Sequence, residues 1–191
     1  MGTFSTLTGK FRHFVRAERG VAAVEFALIL PIMLAIYVGC TEAGGLLITD
    51  RKVQSVAGAV GDLVARSNKN LASADLEDYF LAATSIMSPY TVNDLMQTVT
   101  AVTVSDAGKA TVAWSVEYVG GTMGPSTRHT PSEDYDLPEE MIDIARGHTV
   151  IAAEADYVYR PLLGLFFDPR IDLHRSNFFL PRFGGGITVN Y

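Results

Sequence analysis

The most informative chemistry in this sequence is the run Arg19-Gly20-Val21-Ala22-Ala23-Val24-Glu25-Phe26, where a carboxylate follows a glycine by five positions. From Val21 to Ile48 the chain holds no Lys, Arg or Asp and only two acids, Glu25 and Glu42. Glu25 is therefore set into an apolar segment, where a charge at full membrane depth costs roughly 2 to 3 kcal/mol. Such a residue asks for a counter-charge. Cleavage after Gly20 would supply one, because Val21 would become a new α-amino terminus with Glu25 as its fifth residue. The amine of a neighbouring, staggered copy would then neutralise the carboxylate.

No other constellation offers comparable chemistry. The sequence lacks a G-x-S-x-G nucleophile elbow, an H-E-x-x-H zinc helix and a Walker loop. His13, His129, His148 and His174 fall on the leading segment, a loop and two strand regions without ligand spacing, so no metal site is expected. Gly184-Gly185-Gly186 has neither the G-x-G-x-x-G register nor a helix after it, and reads as a turn before a short last strand. No cofactor is implied. Cys40 is the only cysteine, which excludes an intrachain disulfide and leaves its role open. Tyr157, Tyr159, Phe166, Phe167, Phe178 and Phe179 could form a surface for partner binding, but core packing alone explains most of them. The formal net charge of -6 argues against nucleic acid, whose binding needs concentrated Lys and Arg.

The charge is unevenly placed. Lys10, Arg12, Arg16 and Arg19 against Glu18 give the first 20 residues a net +3, which leaves -9 for the rest of a chain whose total is -6. A basic head, an apolar stretch and an acidic body follow the positive-inside pattern, with the head cytoplasmic and the body outside. A bilayer core needs about 20 apolar helical residues, and the segment around Phe26 to Thr41 with its flanks meets that length. Pro31 is tolerated in a membrane helix and predicts a local kink. A cleaved secretory signal has a shorter apolar region of about 7 to 15 residues, although Ala43, Gly44 and Gly45 do offer small residues for such a cut. The organisation expected is a basic leader over 1–20, a membrane helix over 21–48, a helical extension over 49–66 and an outer domain over 67–191.

Within the extension, Val53, Val56, Val60, Leu63 and Val64 recur at helical spacing, and Gly44, Gly45, Gly58 and Gly61 would soften the helix or admit close packing. Ser67 to Asn70 reads as a break. Leu71 to Met87 reads as an amphipathic helix with Asp75, Glu77 and Asp78 near its start, ended by Ser88 and Pro89. The Thr- and Val-rich stretch from Leu95 to Ser105, a turn over Asp106 to Lys109, and alternation through Val112, Trp114, Val116 and Tyr118 predict a hairpin. Gly120 to Pro138 reads as a long connection and Glu139 to Arg146 as a short helix. Two more strands are expected, one with Ile151, Ala153, Ala155, Tyr157 and Tyr159 on one face and a weaker one from Ile171 to Leu180. The fold class is α+β: an antiparallel sheet of three to five strands on helices, behind a long N-terminal helix.

The stretch Gly20 to Pro31, GVAAVEFALILP, resembles the signature of TadE-like proteins of tight-adherence (Flp) type IV pilus systems in residue types and order. Ala155 to Leu162, ADYVYRPL, is loosely similar to a strand ending in Pro-Leu that such proteins carry. The resemblance implies a substrate, not an enzyme: a prepilin peptidase of the membrane would recognise Gly20 and cut before Val21, with Glu25 the assembly carboxylate and Phe26 and Pro31 packing the helix. A glycine suits that cut, since a backbone without Cβ can be approached closely. Phe26 stands where major Flp pilins carry Tyr, and the body is long, so the likeness is to a minor pseudopilin. The partners implied are the peptidase, other minor pseudopilins, the major Flp pilin, the assembly platform and membrane lipid, at the bacterial inner membrane. Against this stand a signal anchor carrying Gly and Glu by coincidence, and a single-pass adaptor, sensor or envelope hydrolase unrelated to pili.

Overall fold

The computed structural model describes residues 20–164 and 170–190. The leader up to Arg19, with His13, and the pair Phe166 and Phe167 lie outside the described residues. Two compact units divide at Gly44 and Gly45. Helix α1, Val21–Ala65, contributes to both.

In the first unit α1 is apolar apart from Glu25 and Glu42, and the side chains of Val24, Phe26, Leu28, Ile32, Met33 and Tyr37 are all more than half exposed. A helix of this kind carries no stripe to lay on a core of its own, which is the pattern of a membrane span. Its length and composition suit a crossing. Pro31 lies inside α1 and does not end it.

The second unit begins at Gly45, and here the helix acquires a stripe. Val53, Val56, Ala57, Val60 and Val64 are buried, at spacings of three and four that put them on one face. β1 (Asn70–Ala72) leads directly into α2 (Ser73–Thr84), whose Leu76, Phe80 and Ala83 are buried. The helix expected from Leu71 therefore starts at Ser73. Its first residues are instead taken by a parallel pairing with β7 (Thr188–Asn190), with Leu71 opposite Val189.

A five-stranded sheet forms the rest, built from β2 (Leu95–Val104), β3 (Ala110–Val119), β4 (Thr122–Pro125), β5 (Thr149–Tyr159) and β6 (Ile171–Phe179) in the order β4-β3-β2-β5-β6. All four pairings are antiparallel. The expected hairpin, the two later strands and the short helix α3 (Glu139–Ala145) are all present. Strand β4 falls inside the stretch read as a connection. Its Gly and Pro content hid it, and Pro125 is tolerated there because an edge strand leaves one side unpaired.

Both faces of the central strands are covered. Val99, Ala101, Val116, Ile151, Ala153 and Ala155 join the buried stripe of α1 and the buried face of α2 in the main core, where the rings of Phe80 and Tyr118 stack at 5.4 Å. On the opposite face Val102, Val104, Val112, Val150 and Ala152 meet Tyr135, Leu137 and Ala145 from the connection and α3. The segment expected to be a plain connection is thus the lid of a second, smaller core.

Close approach of α1 to the sheet depends on Gly61. A Cβ there would run into the Phe179 ring and stand 2.8 Å from Cβ of Ala153, whereas one at Gly58 would meet only Asn177 Nδ2 at 3.8 Å. The two glycines therefore predict opposite signs. In denaturant unfolding of the detergent-solubilised chain, Gly61→Leu should cost about 1 to 3 kcal/mol through overpacking. Gly58→Ala should add up to about 1 kcal/mol through helix propensity. A neutral Gly61→Leu would contradict the close contact.

Candidate processing site and a buried polar cluster

Gly20 is exposed immediately before α1. Nothing lies within 4 Å of where its Cβ would stand, and its backbone is not in the left-handed region. Among the described residues, then, nothing in the chain requires glycine at this position. Val21 is 55% exposed, so the Gly20–Val21 peptide bond sits at an accessible helix start.

Glu25 lies one turn further on, its Cα about 6 Å along the axis from that of Val21 at 1.5 Å per residue. It is exposed and makes no hydrogen bond or ion pair with any described residue. Phe26 is 61% exposed and Cys40 is exposed as well. The Gly20–Val21 peptide bond and the Glu25 carboxylate thus lie one turn apart at the start of an apolar helix.

A second polar constellation, not anticipated from sequence, lies in the body. Glu154 on β5 is buried, with Oε2 2.9 Å from His129 Nε2 and Oε1 accepting a hydrogen bond from the Tyr135 hydroxyl at 3.3 Å. Two residues on, Asp156 contacts Arg128 Nη1 at 3.0 Å and His174 Nδ1 at 2.8 Å. The network ties the 126–136 segment to β5 and β6. His129 and His174 are structural members of it. Glu154 and Asp156 escaped notice because they alternate with Ala153, Ala155 and Tyr157. Two acids two residues apart in an apolar strand must share a face, and that spacing was the available signal.

Among the described residues no group of three or more His, Cys, Asp or Glu side chains is arranged to hold a metal ion. Arg128 itself fills the space between the carboxylates, 3.0 Å from Asp156 and 3.9 Å from Glu154. Two shallow clefts of about 240 and 260 Å³ open on the body, and neither is lined by a carboxylate.

Comparison with protein-family models matches residues 20–61 to the family described as TadE-like protein. The match takes in Gly20, Glu25, Phe26 and Pro31, and it bears out the resemblance read from that stretch; it points to tight-adherence pilus systems. No curated protein and no solved structure matches the chain.

The buried cluster makes its own prediction. Burial pushes the Tyr135 phenol well above its ordinary value, and the adjacent charge of Glu154 pushes it further. The folded chain thus keeps this proton above about pH 10, where the unfolded chain has released it. Stability must fall as pH rises past that point. Between about pH 9 and about pH 11, the wild type should lose more unfolding free energy than Tyr135→Phe. Equal losses would contradict the assignment.

Proposed function

We propose, from the TadE-like character of residues 20–61, that this chain is a minor pseudopilin of a tight-adherence (Flp) pilus, cut by a prepilin peptidase between Gly20 and Val21. The observation that carries the reading is that Gly20 and Glu25 have no structural reason within the described chain. On this reading a glycine that no described neighbour requires and a carboxylate with no described partner both find their reason in other molecules. The peptidase requires the first and a neighbouring subunit's amine requires the second.

On this reading residues 1–20 are the cytoplasmic leader, 21–48 cross the inner membrane, 49–66 extend the helix and 67–191 form the periplasmic domain. After cleavage the Val21 amine and the Glu25 carboxylate are complementary charges in a medium of low dielectric, where an unpaired charge is costly and a paired one is held firmly. Phe26 and Pro31 shape the helix surface that neighbouring helices meet. The subunit works in initiating or capping a fibre of major Flp pilin, together with other minor pseudopilins and the assembly platform. It supplies the bond that is cut and none of the catalytic groups.

Two substitutions separate the roles. Gly20→Leu should leave the precursor uncut and abolish pili, whereas Glu25→Gln should be processed normally yet reduce pili by roughly tenfold or more, as the loss of about 1.4 kcal/mol or more of pairing energy implies. Electron-microscopic pilus counts and immunoblots of the two chain lengths read both outcomes. Normal pili in both variants would leave a membrane-anchored domain unrelated to pili as the better account.

A further inference from the structure

Within the second unit, the first turns of the helix and the end of strand β5 meet. A Cβ at Gly45 would stand 2.6 Å from the Tyr159 hydroxyl. Farther along α1, Arg175 Nη2 reaches Asp50 at 2.6 Å, Asn177 Nδ2 donates to the Gln54 carbonyl at 3.3 Å, and Gly61 lies on Ala153 and Phe179. The Arg182 amide donates to the Ala65 carbonyl at 2.9 Å. Helix and sheet thus run in step, and the point where β5 ends and β6 begins lies at the Gly45 end. Gly45 is bonded to Gly44, the last residue of the apolar unit.

That end of the body carries exposed apolar side chains. Leu162 and Leu163, just past β5, are 87% and 56% exposed, and Leu47 and Ile48 on the adjoining helix turns are 62% and 53% exposed. Single exposed apolar residues are ordinary on soluble proteins, but a set gathered at one end marks a contact surface. Arg160, at the root of the Leu162 segment, is paired with Asp94, and Arg175 with Asp50. Arg51 and Lys52, which follow Ile48 on the helix, make no ion pair among the described residues, so the apolar set is flanked by two cations.

We propose that Leu162 and Leu163, with Leu47 and Ile48, form a lipid-contact surface that seats this end of the body in the headgroup region of the bilayer. The proposal rests on the reading that the apolar part of α1 crosses that bilayer. Covalent continuity with the span places Gly45 at the membrane surface, and the packing of Tyr159 on Gly45 brings the end of β5 to the same level. Apolar side chains at that level gain by entering the boundary between headgroups and acyl chains, about 5 to 10 Å deep. Because the contact is made by apolar side chains, it forms on a zwitterionic surface.

The test uses the full chain in phosphatidylcholine nanodiscs, with Cys40→Ala as background. A nitroxide is attached to single cysteines made by Leu162→Cys, Leu163→Cys, Tyr37→Cys and Ile144→Cys. Tyr37 reports the span, and Ile144, exposed on α3 beside the opposite end of the sheet, reports water. Collision rates with oxygen, enriched in lipid, and with a water-soluble nickel chelate are compared. Labels at Leu162 and Leu163 should fall between Tyr37 and Ile144, with a several-fold loss of nickel access relative to Ile144. If Tyr37 is in lipid while the two leucine positions behave like Ile144, the lipid contact is wrong and the pseudopilin reading stands. Leucine-position labels shielded from both probes would mean a protein partner instead, and would also overturn it. Nickel access at Tyr37 would overturn the span and the lipid contact together.

Discussion

An acid one turn into a helix segment whose only other acid before Asp50 is Glu42 must be neutralised in an apolar medium, and nothing among the described residues of this chain does so for Glu25. That constraint organises the account. Within the described structure the residue has a cost in an apolar medium and no compensating contact. Gly20 has the same logic in steric form, since the space around it would admit a side chain. The two residues flank the bond whose cleavage would produce a complementary amine.

The remainder of the helix obeys a different constraint. From Gly45 onward the valines of α1 are packed on the sheet, and at Gly61 there is no room for a side chain. Burial of Val53, Val56, Val60 and Val64 makes this part of the helix a structural member of the body. The lid over the other face, tied down by Glu154 and Asp156, braces the sheet from behind. The body is thus held together from both faces of its sheet.

The elements with a clean period were legible in the sequence: the apolar run, the valine stripe, the hairpin and the alternating face of β5. What escaped detection was set by tertiary pairing. Asn70 to Ala72 carries no strand signal of its own and becomes one because Thr188 to Asn190 lies beside it. Thr122 to Pro125 reads as a loop by composition and is a strand because the edge of β3 accepts it. The cluster around Glu154 gathers residues from 128 to 174, a span over which no local pattern operates. Gly20 and Glu25 were visible because their spacing is local and their surroundings are uniformly apolar.

The most direct test of the central claim is the N-terminal sequence and mass of the protein recovered from membranes of cells with and without their prepilin peptidase. The account predicts a chain beginning at Val21 when the peptidase is present and the intact precursor when it is absent. An uncut chain in both, or one cut near Ala43 to Gly45, would contradict it and return the protein to the class of anchored or secreted domains.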